Sequence, residues 1–196
     1  LQVEQGETVA ILGKSGSGKS TLLSLLAGLD SPDAGSVELE AEDLGKITEK
    51  RLLQLRNEKI GIVFQQFHLF PELTASENVA IPLEIRGDLE AFQKANRALE
   101  SVGLGHRLSH TPDRLSGGEK QRIAIARAFI SDPSILLADE PSGNLDAKTG
   151  DEVMSVLFDR VRELGMTLIL VTHDELLSKR CGRRVELVGG KLVPLL

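Results

Sequence analysis

Three short runs of the chain are almost wholly apolar: Thr8–Leu12, Ser134–Ala138 and Thr167–Val171. Each is bounded by polar residues or glycine and is apolar at consecutive rather than alternate positions. That is the pattern of a strand buried on both faces, as in a parallel sheet covered by helices. Segments of helical period follow each run, at Lys19–Gly28, Ala147–Leu164 and Asp174–Arg180. Strand–helix alternation predicts an α/β fold with a mainly parallel sheet. Two further strands are expected at Ser36–Glu40 and Lys59–Phe64, with a helix over Glu49–Arg56 between them. The stretch Arg183–Val193 reads as a hairpin turning at Gly189-Gly190.

The middle of the chain has a different rhythm. From about Phe67 to Ile130 the pattern is mainly helical, and Thr74-x-x-Glu77 and Ser116-x-x-Glu119 both read as capping boxes that open helices. The organisation expected is an α/β core of residues 1–66 and 132–196, with a helical subdomain of residues 67–131 inserted into it. The strand ends then matter. The first run leads into a glycine-rich loop, the second into Asp139-Glu140, the third into Thr172-His173-Asp174. Parallel α/β sheets bind ligands beyond the carboxyl ends of their strands. A phosphate loop, two acids and a histidine are therefore expected on one rim.

Composition narrows the function classes. The chain has 196 residues, a net charge of −6 and a pI near 5.3. Clustered positive charge is what a general nucleic-acid surface needs, so no nucleic-acid partner is expected. Cys181 is the single cysteine, which precludes an internal disulfide and fits a reducing compartment. No run approaches the roughly 18 apolar residues of a membrane helix, and no basic-then-apolar leader opens the sequence. There is no Trp and no Tyr. Of six Phe, three (Phe64, Phe67 and Phe70) fall close together.

Gly13-Lys14-Ser15-Gly16-Ser17-Gly18-Lys19-Ser20, followed by Thr21, fits G-x-x-x-x-G-K-[ST] between a buried strand and a helix. Glycines let backbone N–H groups wrap phosphate oxygens, and the helix behind them presents about half a positive charge. Lys19 is expected to reach the β- and γ-phosphates and the Ser20 hydroxyl to bind Mg²⁺. At the second strand end, Asp139 is assigned to the metal and Glu140 to the attacking water. Leu115-Ser116-Gly117-Gly118-Glu119-Lys120-Gln121 places Ser and two Gly at another helix start, a second ready-made anion site. One domain has little use for two phosphate-binding helix ends far apart in sequence. A head-to-tail homodimer does have a use for them, because one subunit's second end can close on the phosphate held by the other.

Across essentially its whole length the sequence resembles the ABC-transporter ATPases. Gly13–Ser20 resembles their Walker A loop and Ile135–Glu140 their Walker B strand. Gln65 matches the Q-loop, Leu115–Gln121 the signature, Gly143-Asn144-Leu145-Asp146 the D-loop and His173 the H-switch. The resemblance implies a P-loop NTPase core and an ATP- and Mg²⁺-dependent ATPase that dimerises with ATP bound. It implies nucleotide contacts from Ser116, Gly117, Gly118 and Gln121, a Mg²⁺- and water-sensing role for Gln65, and a γ-phosphate contact for His173. Asp146 would lie at the dimer interface. Ala27-Gly28-Leu29-Asp30, Glu77-Asn78-Val79 with Pro82-Leu83, and the Walker B–D-loop segment are similar to the lipoprotein-release and macrolide-export class. Leu104–Leu108 and Cys181–Arg184 resemble its YbbA-like branch. Members of the family carry an aromatic residue upstream of Walker A that stacks on adenine, and this sequence has none before Phe64. The expectation is that such a residue lies in a segment preceding Leu1.

The resemblance also implies a location, peripheral on the cytoplasmic face of the cell membrane, and a permease partner. Phe67, Leu69 and Phe70 lie in a Pro71-terminated loop beside Gln65, and exposed large apolar residues in a loop often mark a contact surface. The permease is expected to dock near Gln65–Pro71. It would export or extract a lipid-, lipoprotein-like or hydrophobic substrate; the alternative is a regulatory signal passed through a permease-like partner without cargo.

Overall fold

The computed structural model describes residues 1–195. Its strands are β1 (Thr8–Leu12), β2 (Glu38–Leu39), β3 (Glu42–Asp43), β4 (Ile60–Val63), β5 (Ile135–Asp139), β6 (Thr167–Val171), β7 (Arg183–Val188) and β8 (Lys191–Leu195). Its helices are α1 (Lys19–Leu26), α2 (Glu49–Lys59), α3 (Ala75–Ile85), α4 (Ala91–Ser101), α5 (Gly117–Phe129), α6 (Ala147–Leu164) and α7 (Glu175–Ser178). Short 3₁₀ turns at Gly105–Arg107 and Pro112–Arg114 lie between α4 and α5.

Six strands form the main sheet in the order β4-β5-β6-β1-β7-β8. All neighbours are parallel except the β7–β8 hairpin. The α/β expectation holds, as does the hairpin turning on Gly189 and Gly190. Both glycines have positive φ, which residues with a Cβ rarely adopt.

Side chains alternate across the sheet with period two. Ala10, Leu136, Leu168 and Leu170 point to a core closed by α5, α6 and α7. Val9, Ile11, Leu137, Ile169 and Val171 point to the opposite core, closed by α1 and α2. A third cluster, built from Ala75, Val79 and Leu83 on α3, Ala95 and Leu99 on α4, and Ile123 and Ala126 on α5, lies in the middle of the chain. Helix α5 therefore serves two cores: Ile125, Ala128 and Phe129 belong to the sheet and Ile123 and Ala126 to the helical cluster. It seats very close to β4, where a Cβ on Gly61 would collide with the Ala128 carbonyl oxygen.

Several boundaries differ from expectation for local reasons. The Ser36–Glu40 strand shrinks to two residues and stays outside the main sheet. Glu40 and Ala41 both have positive φ and turn the chain at once, so Glu38–Leu39 pairs back on Glu42–Asp43. Helix α2 runs on to Lys59, which shortens the strand expected from there. Helix α1 stops at Leu26 because Gly28 adopts φ 62°, and the amides of Gly28 and Leu29 close back on the carbonyls of Leu25 and Ser24. The helix expected over Asp174–Arg180 is one turn, with the Asp174 carboxylate accepting from the amides of Leu176 and Leu177.

Candidate functional site

Strands β4, β5, β6 and β1 are parallel neighbours, so their carboxyl ends share one rim. That rim carries Asp139-Glu140, His173 and the loop Gly13–Gly18, the grouping read from the strand ends, and Gln65 after β4 joins them.

The loop after β1 turns on glycines. Gly13, Gly16 and Gly18 have φ of 155°, 77° and 97°, and a Cβ on Gly13 would stand 2.8 Å from Ser17 Oγ. Helix α1 starts behind Gly18 with no side-chain cap, so the first amides, those of Lys19, Ser20 and Thr21, have no acceptor within the helix. Lys19 is buried, and its ammonium donates to the carbonyls of Gly13 (2.7 Å) and Lys14 (3.0 Å). The lysine thus holds the loop around itself. Ser17 Oγ is buried without a hydrogen-bond partner among the described residues, whereas Lys14, Ser15 and Ser20 are exposed.

The acids behave differently from each other. Asp139 Oδ1 is buried and has no hydrogen-bond partner among the described residues. An orphaned carboxylate oxygen at the end of a strand fits a hard cation that takes few protein ligands and keeps its waters. No group of three or more His, Cys, Asp or Glu residues stands ready for a metal among the described residues. Glu140 sits at φ 45°, in the left-handed region. Its Oε2 accepts from Thr172 Oγ1 (3.4 Å) and the His173 amide (3.3 Å) and lies 2.9 Å from His173 Nδ1. The Glu140 side chain is 15% exposed and the His173 ring 71% exposed. The Glu140 carboxylate is thus mostly covered, while the His173 ring bonded to it is open to solvent. Glu140, His173 and Asp146 border one open cleft of about 500 Å³.

Gln65 is exposed, and its Nε2 lies 3.4 Å from Asn144 Oδ1, while Asn144 Nδ2 donates back to the Gln65 carbonyl at 2.9 Å. The segment after it is clamped from α5: Arg127 donates to the carbonyls of Phe67 (2.9 Å) and His68 (2.6 Å). Gln121 Nε2 donates to the Phe64 carbonyl at 3.3 Å. Gln121 is fully buried. It ties α5 to the start of this loop instead of presenting itself at the open end of the helix with Ser116.

Ser116 caps α5. Its hydroxyl accepts from the Glu119 amide (3.2 Å), and Glu119 Oε2 accepts from the Ser116 amide (2.8 Å). The amides of Gly117 and Gly118 have no acceptor among the described residues. A Cβ on Gly118 would meet Thr149 Cγ2 of α6 at 2.5 Å, and one on Gly117 would meet Leu145 at 3.2 Å. The helix start is therefore packed on the segment that follows Glu140. Phe70 is 53% exposed, whereas Phe67 and Leu69 are half-buried and Leu69 packs on the helical cluster. Arg127 escaped the sequence reading, as did the contacts made by Asn144, Thr172 and Arg107 (which bonds Glu119). Each acts through a contact with a residue distant in the chain, and no local spacing signals that.

The family model described as ABC transporter matches residues 1–143. The chain is 51% identical over 194 residues to an uncharacterized ABC transporter ATP-binding protein, YbbA, of Escherichia coli K12, covering 98% of this chain and 85% of the relative. It is 51% identical over 195 residues to the lipoprotein-releasing system ATP-binding protein LolD of Geobacter metallireducens, covering 98% and 87%. Its structure matches that of the dimeric ATP-binding cassette MJ0796, solved in a post-hydrolysis state with ADP and Pi. The TM-score is 0.90 and the identity 40%, over 100% of this chain and 88% of that one.

Proposed function

Since the chain belongs to the ABC transporter family of ATP-binding proteins, we propose that it hydrolyses ATP with Mg²⁺ as a homodimer that closes on nucleotide and drives a membrane permease. The permease would extract or export a lipid- or lipoprotein-like substrate. The observation that carries this reading is the pair of helix ends with open amides, at α1 and at α5. They serve one nucleotide each only if two chains meet head to tail.

In this reading the phosphates draw Lys19 off the carbonyls of Gly13 and Lys14, and the loop amides donate to the phosphate oxygens beside it. Ser20 and Asp139 hold Mg²⁺, with Gln65 beside them. The metal supplies positive charge against the phosphate oxygens. Glu140 takes the proton of the attacking water, and its bonds to Thr172 and His173 fix where its carboxylate stands. The exposed His173 ring reaches for the γ-phosphate. Ser116, Gly117 and Gly118 meet the partner's nucleotide, and Asp146, on the shared cleft, faces the partner chain.

The permease is assigned to the Gln65–Pro71 loop. Beside it, a surface hollow of about 410 Å³ is bordered by Leu53, Ile85 and Arg127, and exposed Phe70 is an apolar anchor of the kind interfaces favour. No helix of the described residues is long and apolar enough to cross a membrane; in this reading the permease holds the chain at the cytoplasmic face. The lipoprotein-like cargo is supported by relatives named for lipoprotein release. The test is Glu140→Gln. It should lower kcat by on the order of 10²–10⁴-fold and accumulate an ATP-bound dimer. Near-normal turnover would sink the assignment. Cargo is tested with the permease in liposomes carrying a lipid-anchored protein, where ATP-dependent release is expected from the parent and not from Glu140→Gln.

A further inference from the structure

The open end of α5 contains a contradiction. Its Gly117 and Gly118 amides are offered to a phosphate, yet Glu119, in the same first turn, carries a carboxylate. A carboxylate there favours the helix itself, because it complements the positive end of the dipole. Toward an incoming phosphate it is a like charge at short range, and like charges facing each other across a closing interface are repelled.

The structure shows how the carboxylate is occupied. Oε2 accepts the Ser116 amide at 2.8 Å and Oε1 accepts Arg107 Nε at 2.7 Å. The Glu119 side chain is 13% exposed and that of Arg107 34%. Arg107 ends the Gly105–Arg107 turn, and its Nη1 also lies 3.2 Å from His110 Nε2. The Ser116 amide, the Ser116 hydroxyl and the Arg107 guanidinium hold the Glu119 carboxyl below the usual carboxylate range. It is therefore charged, and its charge must be met.

We propose that Arg107 is a positioning residue for the nucleotide of the partner chain. Its guanidinium cancels the Glu119 charge and pins the carboxylate into the cap, so that the Gly117 and Gly118 amides meet the phosphate without a negative neighbour. This rests on the reading that the start of α5 closes on ATP held in trans. A purely structural Arg107 would only fasten the 105–107 turn to α5. The two roles separate on a double variant, because removing the Glu119 charge restores the charge balance but not the fastening.

The experiment measures ATP-dependent dimerisation by sedimentation in a Glu140→Gln background, with thermal melting as the check of folding. Arg107→Ala should weaken the ATP dimer by about tenfold or more, the size expected for losing a favourable charge contact at an interface, and by less at high salt. Arg107→Ala with Glu119→Gln should return to within about twofold of the parent, since a glutamine oxygen still accepts the Ser116 amide. If Arg107→Ala does not fold, Arg107→Gln replaces it with the same expectation. An unweakened dimer, or a double variant as weak as the single, overturns the proposal. Ser116→Arg is the control for the trans reading. If it leaves the dimer intact, that reading fails. If it abolishes the dimer while Arg107→Ala behaves as the parent, only the role of Arg107 fails.

Discussion

Helices α3 and α5 open on the same device and use it differently. Thr74 and Glu77 form a reciprocal capping box at one, Ser116 and Glu119 at the other. In α3 the next two amides are also satisfied: Ala75 donates to the His110 carbonyl at 2.8 Å and Ser76 to the Leu108 carbonyl at 3.0 Å. In α5 the matching amides, of Gly117 and Gly118, find no acceptor among the described residues. The side chains differ to match. Ala75 is buried in the helical cluster, whereas Gly117 and Gly118 put no side chain over their amides, and Gly118 packs closely on Thr149 of α6. A capping box alone therefore says only that a helix begins. What sets α5 apart, and what the proposed nucleotide contact draws on, is the pair of donors that the surrounding described residues leave without an acceptor.

The largest effect that tests this contrast comes from Ser116→Arg. It should lower hydrolysis by about 10²–10³-fold or more, the scale for losing donors aimed at a reacting group. ATP binding by monomers, followed by fluorescence titration, should stay within about twofold of the parent. An equal loss of monomer binding would mean that α5 serves its own chain's nucleotide and would erase the distinction.

A smaller effect concerns packing behind the open end. Gly118→Ala puts a methyl against Thr149 Cγ2 and should cost about 1–3 kcal/mol, the range for overpacking a tight site. Urea unfolding measures it, and adding Thr149→Ser, which deletes the clashing methyl, should recover most of the loss. No recovery would show that α5 tolerates displacement there.

The caps themselves come next. Thr74→Ala and Ser116→Ala should each cost about 0.5–2 kcal/mol in urea midpoint experiments, but only Ser116→Ala should reduce ATPase turnover. Parallel losses of turnover would collapse the contrast between the two helices.

The smallest stability effect is expected at Phe70. Its backbone amide and carbonyl are both held by Asn78 on α3, at 2.8 and 3.1 Å, and its ring is largely exposed. Phe70→Ala should change stability by less than about 0.5 kcal/mol and keep ATPase activity in isolation while losing stimulation by the permease. A variant that unfolds or is inactive alone would mean that the ring is core.

The sheet was legible because β1, β5 and β6 are buried on both faces, which leaves a run with no polar interruption. The rim was legible because strand ends converge by topology alone. Less was legible at Ser36–Glu40, where two residues in left-handed conformation cut the strand short; neither Glu40 nor Ala41 advertises that geometry. Gln121 is instructive too. Its place beside the glycines marks it for the nucleotide, but it lies four residues after Gly117, one full turn further along the helix, and there it faces the Phe64 carbonyl. The Arg107–Glu119 bond joins residues twelve apart through a turn whose shape depends on the whole helical cluster.

Because α5 gives one side to the sheet and another to the helical cluster, neither core can be opened without stripping that helix of half its support. Melting α3 and α4 would uncover Ile123 and Ala126; melting the sheet would uncover Ile125 and Phe129. The two regions are thus coupled as folding units, and heat or denaturant should take them apart in a single cooperative transition. Amide protons in the middle of α5 should then exchange with solvent only through global opening, making this helix the slowest-exchanging segment of the central chain, while the Gly117 amide, without an acceptor among the described residues, exchanges far sooner.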